Sequence, residues 1–170
     1  MNVSGKTVFL ADDHELVRAG LRTLLQEMLD MDIVGEASDG QDVVRGVCES
    51  RPDLVLLDIG MPGLNGIDVI ERLRGRGESL PIIMLSMHSS VEDVARAMAA
   101  GANGYLPKES AFDELSQALD AVFSGAEYLG RSIDVEQVRR TREEIARGGS
   151  RLTLLTSRQR EILQLIAEGY

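Results

Sequence analysis

The chain has 170 residues, 44% of them hydrophobic, 4% aromatic and none tryptophan, which suits one full domain with an aliphatic core plus a remnant. Its formal charge of −10 argues against nucleic-acid binding by the chain as a whole. No apolar run approaches the roughly 20 residues that span a bilayer.

The opening residues, Met1–Lys6, lack the apolar core of a secretory signal. Thr7–Ala11 is an unbroken apolar run that predicts a first strand, and Asp12 and Asp13 follow it directly. Leu21, Leu24, Leu25 and Met28 then fall at helical spacing. Ile33–Ala37 predicts a second strand, and Val43, Val44, Val47 and Cys48 a second helical face. Cys48 is the chain's single cysteine, so no internal disulfide can form, which fits a reducing cytoplasm. Its valine neighbours make it a buried helix residue rather than a reactive thiol. Leu54–Leu57 predicts the third strand, ending at Asp58. Ile67, Ile70 and Leu73 form the third helical face, Ile82–Ser86 the fourth strand, and Val91, Val94, Ala95 and Met98 the fourth helix. A short fifth strand at Gly104–Leu106 precedes Phe112, Leu115, Leu119 and Val122 on a fifth helix. Pro52 and Pro81 stand before strands, Gly101 and Gly125 after helices, and Ser110 can cap the last one. Mostly unbroken apolar strands alternating with amphipathic helices predict an α/β fold with a doubly wound parallel sheet.

Beyond Gly125 the pattern changes. Residues 1–130 carry ten Lys and Arg against 22 Asp and Glu, whereas residues 131–170 carry eight against six. Residues 134–147 read as a helix of mostly polar and charged residues, closed by Gly148-Gly149-Ser150. Thr156, with Gln159 three residues on, has the form of a capping box ahead of an apolar face of Ile162, Leu163, Leu165 and Ile166.

The acids carry the chemistry. If the first and third strands are neighbours, Asp12, Asp13 and Asp58 meet at the carboxyl edge of the sheet, where open α/β sheets bind ligands. Carboxylates about 4 Å apart repel by about 4 kcal/mol per pair at an effective dielectric near 20. A hard divalent cation with oxygen ligands resolves that conflict most simply. The plainer alternative is that Asp12 or Asp13 caps a helix and Asp58 only ends a strand.

In that order and spacing, Asp12-Asp13, Asp58 with Met61-Pro62-Gly63 behind it, Ser86, and Gly101–Lys108 resemble the receiver domain of response regulators over about residues 5–125. Residues 154–169 resemble the opening of a LuxR-type helix-turn-helix domain, so the whole is similar to the NarL/FixJ family. The resemblance implies a flavodoxin-like (CheY-like) five-stranded sheet in the order 2-1-3-4-5. It implies a receiver at residues 1–125, a linker with a helix at 126–150, and at 151–170 the first helix of a truncated all-α output module. Asp58 is then the phosphoacceptor, with Lys108 and Ser86 contacting the phosphoryl group and Tyr105 as a switch. Mg²⁺ is held by Asp13, Asp58 and the backbone carbonyl of Gly60, with Asp12 acting through water. The implied partner is a sensor histidine kinase, and the implied location of the chain is the cytoplasm. The chain is expected to act as a phosphoacceptor with slow self-dephosphorylation rather than as an enzyme, and not at a membrane. DNA binding belongs to a complete output domain, because the recognition helix falls beyond Tyr170. A phosphorylation-dependent homodimer, through the first and fifth helices or the fourth-helix face, is also implied. A receiver acting only through protein–protein contacts is the alternative.

The resemblance has departures. Here proline precedes the lysine (Pro107-Lys108) and Glu109 follows, so a cis bond after Lys108 would be costly. His14 reads as a surface residue at a helix start, and His88 as a loop residue. Ser4-Gly5-Lys6-Thr7 imitates the end of a phosphate-binding loop, but Thr7 leads into a strand where that motif requires a helix.

Overall fold

A computed structural model of the chain describes residues 3–148. Its strands are β1 (Thr7–Ala11), β2 (Asp32–Ala37), β3 (Leu54–Asp58), β4 (Ile82–Ser86), β5 (Gly104–Pro107) and β6 (Tyr128–Leu129). Its helices are α1 (Glu15–Thr23), α2 (Gly40–Ser50), α3 (Gly66–Gly75), α4 (Val91–Ala100), α5 (Lys108–Phe123) and α6 (Val135–Ala146). A single π-helical stretch, Leu24–Met28, extends α1. All strand pairs are parallel, in the order β2-β1-β3-β4-β5-β6. The expected five-strand order is retained, and β6 adds a sixth strand beside β5. Two residues are too few to show a period, which is why β6 left no trace in the sequence.

Alternation along each strand divides the core. Val8, Leu10, Leu54, Leu56, Ile83 and Leu85 face α1 and α5, where they meet Leu21, Leu25, Leu115 and Leu119. Phe9, Ala11, Val55, Leu57, Ile82 and Met84 face the other way, against Val43, Val47, Ile70, Leu73, Val94 and Met98 of α2, α3 and α4. Strands covered on both faces must be apolar throughout, and every residue of β3 and β4 is buried.

Four expectations need correction. Met28 is exposed, not on the buried face of the first helix, because the wider π turn carries it past the core side. Phe112 is half-exposed, lying across Gly20 of α1, where a Cβ would come within 2.7 Å of the ring. Ser110 does not cap α5: the helix starts at Lys108, and the Ser110 hydroxyl donates back to the Pro107 carbonyl at 3.3 Å. Cys48 is only partly buried.

The stretch read as a linker is folded against the sheet. β6 is tied to β5 by Gly130 N–H donating to the Tyr105 carbonyl at 2.9 Å. Buried Glu114 of α5 accepts from the Tyr128 hydroxyl at 2.9 Å and from Arg131 N–H at 3.0 Å. α6 packs on α4, with Ile133 and Val138 in the same core cluster as Val94 and Met98. Its N-cap is Asp134, whose carboxylate accepts from the N–H groups of Glu136 and Gln137. The apolar face of Ile162, Leu163, Leu165 and Ile166 and the Thr156 capping box lie outside the described residues. Among the described residues, no helix is long and apolar enough to cross a membrane.

Candidate functional site

β1 pairs with both β2 and β3, so the strand order reverses between β1 and β3. Ala11 is in register with Leu57, which brings Asp12 and Asp58 side by side just beyond it. Asp58 is in register with Leu85 of β4, and Ser86 with Pro107 of β5. The residue after Pro107 is Lys108. The carboxyl edge of four neighbouring strands therefore presents Asp12, Asp58, Ser86 and Lys108 in a row.

Three of those side chains converge. The Lys108 ammonium lies 2.7 Å from Asp12 Oδ2 and 3.0 Å from Asp58 Oδ2. All three groups are buried. The ammonium is the shared partner of both Oδ2 atoms. Burial pushes the Asp58 carboxyl above its ordinary value, and the Asp12 charge adds to this while Lys108 works against it. Asp58 Oδ1 accepts the Gly60 N–H at 3.2 Å, the turn contact that aims the carboxylate. Gly66 keeps that turn close: a Cβ there would lie 2.6 Å from the Asp58 carbonyl and 2.8 Å from Met84 Cε.

Asp13 is more exposed and belongs to the same cluster. Ligand atoms of Asp12, Asp13, His14 and Asp58 all lie within 4.8 Å of one another. Three carboxylates and one ammonium leave a net charge of −2, and the two buried Oδ2 atoms must share that one ammonium. That donor set fits a divalent cation.

The plainer reading of Asp12 as a cap does not hold for α1: the N-cap is His14, no side chain caps the helix, and Asp12 Oδ1 accepts the His14 N–H at 2.8 Å in the turn before it. His14 is the residue that sequence reasoning missed. It is the N-cap of α1 but makes no side-chain cap. Its ring turns into the pocket, with Nδ1 2.8 Å from Asp13 Oδ1, 3.2 Å from Asp12 Oδ1 and 3.4 Å from Lys108 Nζ. The run Asp12-Asp13-His14 put a third potential ligand at the strand end, but the sequence alone did not say which way its ring turns.

Ser86 and Tyr105 form a second group, gathered around the His88 carbonyl. Ser86 Oγ donates to it at 2.5 Å and accepts the His88 N–H at 3.0 Å, while the Tyr105 hydroxyl donates to the same carbonyl at 2.9 Å. Tyr105 is fully buried, and burial pushes its hydroxyl well above the usual phenol range. No peptide bond among the described residues is cis, so the loop around Lys108 is built from trans bonds throughout.

Residues 8–120 match the family model for the response regulator receiver domain. The chain belongs to the response regulators. Response regulator UvrY of Escherichia coli K12 is 36% identical over 162 residues, covering 95% of this chain and 74% of UvrY. The nitrate/nitrite response regulator protein NarL of the same organism is 35% identical over 168 residues, covering 99% and 78%. A crystal structure of a LuxR-family two-component response regulator from Aurantimonas sp. SI85-9A1 superposes with a TM-score of 0.71 at 31% identity, covering 84% of this chain and 99% of that one. This response regulator is thus a two-component regulator of the LuxR/NarL type, with a flavodoxin-like receiver.

Proposed function

We propose that Asp58 is the phosphoacceptor of this response regulator and that its modification controls a transcriptional output. The observation that carries this is the Lys108 ammonium seated between the buried carboxylates of Asp12 and Asp58. A carboxylate oxygen of Asp58 attacks the phosphorus of a phosphohistidine on a sensor kinase. The new O–P bond makes an acyl phosphate as the N–P bond breaks, and the imidazole leaves. Mg²⁺, when bound, supplies positive charge to the transferring phosphoryl oxygens. Asp13, Asp58 and the Gly60 carbonyl would hold it, with Asp12 acting through water.

Lys108 has the reach to leave Asp12 and pair with a phosphoryl oxygen, as a compact charge on a flexible stem can. Ser86 donates to another phosphoryl oxygen once its hydroxyl leaves the His88 carbonyl. Tyr105, bonded to that same carbonyl, feels this exchange directly. Through it, the charge added at Asp58 biases two arrangements of the β4–α4 loop. Slow hydrolysis of the acyl phosphate ends the signal.

The output is a second copy of the chain, paired through α1 and α5, with DNA contacted by the complete LuxR-type module of a cytoplasmic regulator. Leu16 and Phe112 support this pairing, as large apolar side chains left exposed on that face. The decisive experiment is transfer of radiolabelled phosphate from a phosphorylated sensor kinase. Label should enter the wild type only with a divalent cation present and fall to background in Asp58→Asn. Undiminished label in that variant overturns the proposal.

A further inference from the structure

We propose that His14 is a nitrogen ligand of the acidic pocket, giving the site a higher affinity for a borderline transition-metal dication of the Co²⁺ class than for Mg²⁺. This rests on the reading of the pocket as a cation site and deepens it.

Geometry carries the inference. The His14 backbone is fixed by its own N–H bond to Asp12 Oδ1 at 2.8 Å. An N-cap side chain ordinarily serves the first turn of its helix, and this one does not. The ring is about half-exposed and contributes little to packing, yet its Nδ1 is directed at the carboxylates. It lies 2.8 Å from Asp13 Oδ1, 3.2 Å from Asp12 Oδ1 and 3.9 Å from Asp58 Oδ2. One nitrogen facing three carboxylate oxygens occupies the position of a fourth donor. Ligand atoms bonded at about 2.1 Å to one ion stand at most about 4.2 Å apart. The four donor atoms here lie within 4.8 Å of one another, so closure needs only a small movement of exposed side chains.

Chemistry then sets the preference. Mg²⁺ takes oxygen ligands and keeps much of its water, so the three carboxylates satisfy it without the imidazole. Imidazole adds bond energy for Co²⁺, Ni²⁺ and Zn²⁺, which bind nitrogen well. Carboxylates alone already favour Co²⁺ somewhat over Mg²⁺. The contribution of His14 is therefore read as a difference between variants.

The test is calorimetric titration of the metal-stripped full chain with Mg²⁺ and with Co²⁺. His14→Gln should weaken Co²⁺ about tenfold or more and leave Mg²⁺ within about twofold. The chain's other histidine, His88, is the control, and His88→Gln should change neither affinity. Proton magnetic resonance of the Co²⁺-loaded wild type should show hyperfine-shifted histidine ring resonances, lost in His14→Gln and kept in His88→Gln. An unchanged Co²⁺ affinity in His14→Gln, an equal loss for both metals, or no shifted ring resonances in the Co²⁺-loaded wild type overturns the role of His14. Failure of the wild type to bind either metal overturns the cation pocket itself, and with it the wider reading.

Discussion

Asp58 stands beside Asp12 with one ammonium between them, all three side chains buried. Two buried like charges share a single counter-charge, so the pocket holds an anion that the fold alone would not choose. Asp58→Asn removes that excess while keeping the shape, and Lys108 retains Asp12. In EDTA at neutral pH the variant should gain on the order of 1 kcal/mol, about 3–5 °C in melting temperature for a domain of this size. Scanning calorimetry checks this, and a lower melting point would mean that the pair with Lys108 outweighs the repulsion. The acids and the lysine were legible because each ends an apolar run, and only two lysines interrupt an arginine-rich chain. The direction of the His14 ring was not legible. A rotamer at a helix start depends on what the neighbouring strands bring beside it, and β3 supplies Asp58 from 44 positions away.

At the opposite edge of the sheet, Asp53 joins the starts of β1 and β3. Its Oδ2 accepts the Thr7 N–H at 2.8 Å and the Thr7 hydroxyl at 3.0 Å, while its own N–H donates to Thr7 Oγ1 at 3.0 Å. The Thr7 N–H bond above all, then the Thr7 hydroxyl and the Lys6 charge, hold the Asp53 carboxyl below its ordinary value of 3.8 despite partial burial. A depressed carboxyl stabilises the folded state fully above its unfolded value, and that contribution fades as pH falls through the folded value. Asp53→Ala should therefore cost about 1 kcal/mol in urea at pH 7, at the modest end because the group is part-exposed. The difference from wild type should shrink as pH falls below about 4. A pH-independent difference would assign the loss to packing. The same element scale shows where sequence patterns reach and where they stop. The runs at Thr7–Ala11 and Ile82–Ser86 became strands with those bounds, because burial on both faces demands an unbroken apolar run. The π turn at Leu24–Met28 broke a helical period that the sequence otherwise supports, and only the fit of α1 over the sheet decides it.

For the whole molecule, the charged composition of α6 hid its place in the core. Its buried contacts lie on a narrow stripe, Val138 buried and Ile145 partly so, while Glu136, Arg139, Arg140 and Glu143 pair with one another along the exposed side. Arg142 pairs with Glu127 at 2.8 Å and pins the helix to the segment before β6. α6 thereby covers α4, one of the two faces open to pairing on the sequence alone. The α1–α5 face is left with Leu16 and Phe112 exposed. If pairing uses that face, Phe112→Glu should keep the protein monomeric in beryllofluoride and Mg²⁺, while the wild type doubles in mass by light scattering. The side chain is half-exposed, so the stability cost should stay within about 1 kcal/mol. Val138→Asp provides the contrast. It places a charge in a site that Val138 fills with 1% exposure, which should cost about 2–4 kcal/mol and release α6 from α4. Beryllofluoride should still double the mass of that variant, because its α1–α5 face is intact. If instead Phe112→Glu pairs normally and Val138→Asp changes the assembly, the fourth helix is the interface, and α6 must swing away before two copies can meet.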